Sequence, residues 1–95
     1  MFLRKSLVIV PDVQKRLRPL PCEQRADGVL KLLELGDAFG KPHAHSGLGT
    51  RNLCVDLFEC GVGLALRILF RASPDALTLR FIGSRDEVQK YLRTR

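Results

Sequence analysis

The feature that most restricts the fold of this chain is a pair of alternating apolar runs joined by a short turn. In residues 64–71 (LALRILFR), every second residue from Leu64 to Phe70 is large and apolar, which is the period of a β-strand with one buried face. Residues 73–75 (SPD) are typical of a turn, and residues 76–82 (ALTLRFI) alternate again. In this second run the predicted inward side chains are Leu77, Leu79 and Phe81, and the outward ones are Thr78, Arg80 and Ile82. The two runs predict an antiparallel hairpin.

The segment after this hairpin has the sequence signature of a capped helix. Ser84 and Glu87 form the S-x-x-E pattern of a capping box, in which each side chain satisfies a free backbone N–H group of the other residue. Val88, Tyr91 and Leu92 follow at helical spacing. The chain is therefore predicted to close with a helix.

The N-terminal half predicts one strand followed by a helical hairpin. Residues 7–10 (LVIV) form a short run rich in β-branched residues, as in a buried strand. Asp12 is a plausible N-cap for a short helix, in which one apolar face comprises Val13, Leu17 and Leu20. A second helix is predicted over residues 23–35 and is expected to end at Gly36. Its predicted buried stripe comprises Ala26, Val29, Leu30 and Leu33.

The remaining segments complete a simple order of elements. Residues 36–50 contain four glycines and a proline and predict a loop. Residues 52–60 (NLCVDLFEC) predict one strand, and residues 61–63 a turn. The order β-α-α-β-β-β-α predicts an α+β fold. A two-helix hairpin packs on a mostly antiparallel, twisted four-stranded sheet, and a helix follows at the C-terminus.

Composition indicates a single globular domain over residues 1–95 with an anionic partner. The hydrophobic fraction of 45% and charged fraction of 27% are ordinary for a packed domain. The formal net charge of +6 favours a polyanionic partner such as nucleic acid, an acidic protein or an anionic membrane surface. Cys22, Cys54 and Cys60 lack a CxxC spacing and are expected to be reduced. No signal peptide or transmembrane run is found, so a cytoplasmic protein is expected.

The C-terminal third places several cationic side chains where they can bind phosphate. Arg67 and Arg71 share one face of a predicted strand, and the face of Arg80 depends on the strand register. Arg85 lies in the first turn of the last helix, where free N–H groups also favour an anion, although it is equally compatible with a solvated side chain. Tyr91 is a candidate for base stacking or general base catalysis, or else a core aromatic residue.

A second group of polar residues lies in the glycine-rich loop. His43 and His45 form an H-x-H pair flanked by Lys41 and Arg51. The pair has three interpretations, which are plain loop residues, nucleic-acid contact or acid–base catalysis, and a metal site. The metal site has least support because the cysteines do not complete a known pattern. Walker A, GxGxxG, HExxH and GxSxG motifs are missing, so no cofactor is expected.

The order of elements and the residues of the C-terminal third resemble the RelE/ParE superfamily of bacterial type II toxins. The resemblance extends from LVIVPDVQKRLRPLP, through GLGTRNL, to LRILFRASPDALTLRFIGSRDEVQKYLR. The RelE branch comprises mRNA interferases that cut mRNA in the ribosomal A site, without a metal, by attack of the ribose 2′-hydroxyl on the adjacent phosphate. The resemblance implies this activity, RNA and the ribosome as partners, and an acidic antitoxin that wraps the helical hairpin and the sheet.

The resemblance also implies roles for individual residues. By position, Arg67 matches the family's strand arginine, which contacts phosphate. Arg85 matches the family's arginine after the last strand, and Tyr91 matches its C-terminal tyrosine. Two lysines typical of RelE are replaced by Phe58 and Cys60, which leaves the general base unassigned. The implied catalytic residues are therefore Arg67, Arg85 and Tyr91. The implied RNA-binding residues are Lys41, His43, His45, Arg51, Arg71, Arg80 and Lys90, some of which are alternative sources of the base.

Two other functions fit the same fold. The ParE branch poisons DNA gyrase and is not a nuclease, so its members act by binding alone. A decayed toxin that binds only its antitoxin is the other alternative, and the replaced lysines are compatible with it.

Overall fold

A computed structural model describes residues 6–39 and 49–94, which form five strands and three helices around a mixed sheet. Lys41, His43 and His45, with most of the predicted glycine-rich loop, lie outside the described residues. The elements are β1 Ser6–Ile9, α1 Pro11–Leu17, α2 Cys22–Ala38, β2 Thr50–Cys54, β3 Leu57–Val62, β4 Leu66–Ala72, β5 Ala76–Gly83 and α3 Arg85–Arg93.

The sheet has the strand order β1-β5-β4-β3-β2. β1 pairs in parallel with β5, and the other neighbouring strands are antiparallel. The predicted α+β class and mostly antiparallel sheet are confirmed, but the sheet has five strands instead of four. No helix in the described part of the chain combines the length and apolar composition required to cross a membrane.

The additional strand arises because residues 52–60 form a hairpin and not one strand. The chain turns at Val55 and Asp56, and Val55 adopts a φ of 31°, in the left-handed region. The Asn52 side-chain amide donates to the Val55 carbonyl at 3.2 Å and to the Leu57 carbonyl at 3.4 Å, which stabilises this turn. The turn contains neither glycine nor proline, so local sequence gives no signal for it. The turn predicted over residues 61–63 therefore lies later, between the end of β3 and the start of β4. Leu64 in this turn is fully exposed.

The main core lies between the sheet and the two N-terminal helices. Its centre is a cluster of three phenylalanines, with ring centroids 4.9 Å apart for Phe39 and Phe58, 5.3 Å for Phe39 and Phe70, and 5.6 Å for Phe58 and Phe70. The buried residues packed together on this face are Val13, Leu32, Leu35, Phe39, Cys60, Val62, Leu66, Ile68, Phe70, Leu77, Leu79 and Ile82.

The helices differ from prediction in their caps and in the buried face of α2. Val10, not Asp12, is the N-cap of α1, since Pro11 occupies the first turn. Gly36 does not end α2, which continues to Ala38 with Gly36 buried. The residues of α2 that pack inward are Gly28, Leu32, Leu35 and Gly36, whereas the predicted stripe of Ala26, Val29, Leu30 and Leu33 is exposed. Gly28 is buried facing Leu17 and Ile82, where a Cβ would make ordinary contacts at 3.7 and 3.8 Å.

A β-bulge reverses the predicted orientation at the end of β5. Leu69 pairs with Phe81 and Phe70 with Leu79, so Arg80 is the extra residue between two paired positions. After an extra residue, each following side chain of the strand points to the sheet face opposite to the one expected from simple alternation. Ile82 is therefore 2% exposed in the core, and Phe81 lies on the opposite face, which is the reverse of the prediction for these two residues.

Candidate functional site

Helix α3 lies on the second face of the sheet, opposite α1 and α2. Val88 of α3 and Leu69 of β4 are both buried on this face. The predicted capping box is confirmed, because the Glu87 backbone N–H donates to the Ser84 hydroxyl at 3.2 Å and the Ser84 N–H donates to the Glu87 carboxylate at 2.8 Å. The cap fixes the start of α3, and with it the position of Arg85.

Beside α3, a cleft of about 390 Å³ separates the helix from strands β2–β4. We call it the arginine cleft. It is lined by Gly49, Arg51, Glu59, Arg67, Arg85, Gln89 and Leu92. The strand register brings three of these together, because Arg51 lies opposite Glu59 and Arg67 lies opposite Gly61. Side chains at opposite or next-but-one positions share a face of the sheet.

The arginine cleft combines one shielded carboxylate with three guanidinium groups. The Glu59 carboxylate lies 3.5 Å from Nη1 of Arg67 and 3.6 Å from Nη2 of Arg51, and its side chain is only 13% exposed. Arg85 makes no ion pair with any residue in the described ranges. Three cations and one carboxylate leave a net positive cleft, which suits a phosphate group.

Glu59 is a site residue that sequence reasoning missed. The two positions matched to RelE lysines, Phe58 and Cys60, do not face the cleft, since Phe58 belongs to the phenylalanine cluster and Cys60 is fully buried in the core. Burial raises the pKa of the Cys60 thiol, which keeps it protonated. Glu59 lies between them and points to the other face. A carboxylate of this kind can accept a proton from a hydroxyl group.

Tyr91 does not share the arginine cleft with Arg67 and Arg85. It lies on the other flank of α3, where its ring stacks on Phe81 with centroids 4.5 Å apart. The grooves on this flank are lined in part by Arg80 and Lys90. The structure thus brings together Arg51, Arg67 and Arg85, and places Tyr91, Arg80 and Lys90 elsewhere.

Two of the predicted RNA-binding arginines have distinct surroundings. Arg71 shares a sheet face with Arg67, as predicted, but its Nη1 donates to the Asp56 carboxylate at 2.5 Å beside the β2–β3 turn. Arg80, at the bulge, has a buried Nε atom with no hydrogen-bond partner in the described part of the chain.

Arg16 of α1 is a second residue that sequence reasoning missed, and it ties α1 to the start of α3. Its Nε donates to the Ile82 carbonyl at 2.5 Å, its Nη2 donates to Glu87 at 2.7 Å, and its guanidinium lies 4.3 Å from the centre of the Phe81 ring. A Cβ at Gly83 would lie 2.9 Å from Oε1 of Glu87 and 3.0 Å from Nη2 of Arg16, so a larger residue here would displace the Arg16–Glu87 pair. Arg16 therefore positions α3, which carries Arg85.

Glu87 is expected to make stability depend on pH. Its pKa is lowered by the hydrogen bond from the Ser84 backbone N–H and then by the hydrogen bond from Arg16. A lowered pKa contributes stability that is present above the ordinary value of 4.5 and is lost as the pH falls through the folded-state pKa. Glu87→Gln should therefore lower the urea midpoint at about pH 7 more than at about pH 3. An equal reduction at both pH values would contradict this assignment.

The described cysteines and acidic residues suggest no metal centre. Cys22, Cys54 and Cys60 form no disulfide with one another. Among residues 6–39 and 49–94, no group of three or more His, Cys, Asp or Glu side chains is arranged to hold a metal ion.

Comparison with known proteins identifies the fold. No family model matches the sequence, and no curated protein is significantly similar to it. Among solved structures, a chain of the RelB-RelE antitoxin-toxin complex from Methanococcus jannaschii superimposes with a TM-score of 0.67 at 16% identity, covering 88% of this chain and 96% of that chain. A chain of the RelE-RelB complex from Pyrococcus horikoshii OT3 gives a TM-score of 0.66 at 15% identity, covering 87% and 97%.

A third similar structure is a chain of the RelBE2 toxin-antitoxin complex from Mycobacterium tuberculosis, with a TM-score of 0.62 at 17% identity, covering 87% of this chain and 100% of that chain. At these identities the likeness is one of fold. The chain has the fold of these RelE-complex chains, which confirms the predicted resemblance at the level of architecture.

Proposed function

We propose that this chain is the toxin of a type II toxin–antitoxin pair and that it cleaves mRNA on the ribosome through the arginine cleft. The observation that carries the proposal is the Glu59 carboxylate, held 3.5 and 3.6 Å from two arginines, with Arg85 on the same cleft. Cleavage by a ribose 2′-hydroxyl requires a base and concentrated positive charge at the phosphate. The cleft supplies both, on a fold shared with RelE-like toxins.

Each group in the cleft has a role in the proposed reaction. Glu59 accepts the proton of the 2′-hydroxyl, whose oxygen then attacks the adjacent phosphorus. The bond from phosphorus to the 5′ oxygen breaks, a 2′,3′-cyclic phosphate forms, and the leaving oxygen takes a proton from water. Arg51, Arg67 and Arg85 bind the phosphate oxygens, on which negative charge increases in the transition state.

The ion pairs within the cleft support this assignment. Arg67 and Arg51 hold the Glu59 carboxylate next to the place where they would bind phosphate. Arg85 makes no ion pair among the described residues and is the guanidinium most available to an incoming anion. A toxin that only binds DNA gyrase has no need for a shielded carboxylate among arginines, so the arrangement favours the nuclease.

The partner proposed to inhibit the toxin is an acidic antitoxin. The chain has a net charge of +6, and three arginines line the arginine cleft. The similar structures from Methanococcus jannaschii and Pyrococcus horikoshii OT3 are complexes of RelE with RelB. An acidic antitoxin segment in the cleft would neutralise the phosphate-binding arginines and block RNA.

The test is inducible expression in bacteria followed by mapping of RNA 5′ ends. The wild-type chain is expected to stop growth and to produce cuts in phase with codons, because cleavage depends on the ribosome. Leu64→Ser, a change at a fully exposed turn residue, is the control and should behave as wild type. Growth arrest with intact RNA and broken DNA would instead indicate a gyrase poison. Normal growth despite folded protein would indicate a decayed toxin, and either result would contradict the proposal.

A further inference from the structure

Helix α3 presents three side chains in a row to the arginine cleft. Arg85, Gln89 and Leu92 all line the cleft, and they follow the i, i+4, i+7 spacing of a single helix face. Val88 of the same helix is buried on the sheet, and Tyr91 lies on the other flank, stacked on Phe81. The proposed cleavage uses only the arginine of this row, so it leaves the glutamine and the leucine without a role.

Gln89 and Leu92 differ in chemistry from the phosphate-binding arginines beside them. Leu92 is half-buried and is the one apolar side chain among the described residues that line the cleft. Gln89 is exposed and forms no hydrogen bond with any described residue, so its amide can donate through nitrogen and accept through oxygen toward a ligand. An apolar surface beside such an amide suits an unpaired RNA base, which has an apolar face and a polar edge.

The spacing of the row allows a phosphate and a neighbouring base to bind together. At a rise of about 1.5 Å per residue, Gln89 lies about 6 Å and Leu92 about 10 Å from Arg85 along the helix axis. A phosphate bound by Arg85 therefore leaves an adjoining sugar and base within reach of the other two side chains. The cleft volume of about 390 Å³ is within the range of sites that hold small molecules.

We propose that Gln89 determines which RNA base is accepted next to the cleaved phosphate, and that this base is adenine. Adenine carries the acceptor N7 and the N6 amino donor side by side, and a glutamine amide can bind both at once. Guanine presents two acceptors on the same edge, which match arginine instead, and pyrimidines have no N7. Leu92 packs on the face of the base. This inference rests on the proposed function and names the base that the same site selects.

The test uses reporter mRNAs that differ only in the bases flanking one cleavage site, on purified translating ribosomes. The wild-type chain is expected to cut about tenfold faster with adenine at one flanking position than with any other base there. Gln89→Ala should remove this preference, and Gln89→Arg should move it to guanine. Gln24→Ala makes the same change on α2, at the other face of the sheet, and should keep the preference for adenine.

A binding measurement separates this inference from the proposed nuclease. Where reporters are cut, equal rates for all bases in wild type, or an adenine preference that survives in Gln89→Ala, would overturn the role of Gln89. Where none is cut, the proposed function fails, and short RNAs with a 2′-deoxy nucleotide at the cleavage position decide. The adenine form should then bind the wild-type chain about tenfold more tightly than the cytosine form, with NMR shift changes in α3, and Gln89→Ala should bind both equally. Equal binding by wild type would overturn the inference.

Discussion

Replacing Glu59 with glutamine is expected to reduce RNA cleavage by about 10²–10⁴-fold, the contribution of a well-placed general base. Glutamine keeps the size of the side chain and can still hydrogen-bond to Arg67, but its amide cannot accept the proton of a 2′-hydroxyl. The loss should appear in kcat, because the arginines that bind phosphate remain in place. The measurement is the rate of cleavage of a reporter mRNA on purified translating ribosomes.

The control for this prediction is Asp75→Asn, which makes the same chemical change at an exposed turn between β4 and β5. Its cleavage rate should match that of wild type. Urea unfolding of Glu59→Gln establishes that the protein is folded under assay conditions. If folded Glu59→Gln cleaves at the wild-type rate, Glu59 is not the base, and the proton acceptor must lie elsewhere.

Replacing Phe70 with alanine is expected to lower the free energy of unfolding by about 3–5 kcal/mol. Phe70 is fully buried, and its ring stacks on Phe58 and meets the edge of Phe39. Phe39 follows directly after α2, so truncation of Phe70 removes one of the two ring contacts by which Phe39 joins the end of α2 to the sheet. A loss of this size is a large fraction of the stability of a small domain.

The measurement is the urea midpoint and slope of the wild-type and Phe70→Ala proteins, followed by circular dichroism. Leu64→Ala is the control, because Leu64 is exposed and the change should alter stability by no more than about 0.5 kcal/mol. A loss below about 1 kcal/mol for Phe70→Ala would mean that the phenylalanine cluster is not the centre of the core.

The parts of the fold that sequence patterns predicted are those controlled by neighbours in the chain. The β4–β5 hairpin follows from alternation and a proline-containing turn, and the start of α3 from its capping box. The β2–β3 turn was missed because Val55 and Asp56 interrupt an apolar run without glycine or proline. The buried face of α2 was misassigned because the helix has two apolar rows, and only packing on the sheet selects between them.

Only part of the candidate site was predicted, because only some of its residues are positioned by their neighbours in the chain. Arg67 and Arg85 were identified from their places on a strand and at a helix start, and they line one cleft. The identification of Glu59 as a cleft residue requires the register of β2, β3 and β4, which a single sequence does not define. Phe81, on which Tyr91 stacks, lies on the face opposite to the predicted one because of the bulge at Arg80, an insertion that has no local signal.

The most direct test of the proposed nuclease is the chemistry of the RNA ends produced by the purified chain on translating ribosomes. Attack by the ribose 2′-hydroxyl leaves a 2′,3′-cyclic phosphate on one fragment and a 5′-hydroxyl on the other. The wild-type chain is expected to produce these ends, and Glu59→Gln to produce them about 10²–10⁴-fold more slowly. Fragments with 5′-phosphate ends, or mRNA that stays intact with active ribosomes and folded toxin, would contradict the account.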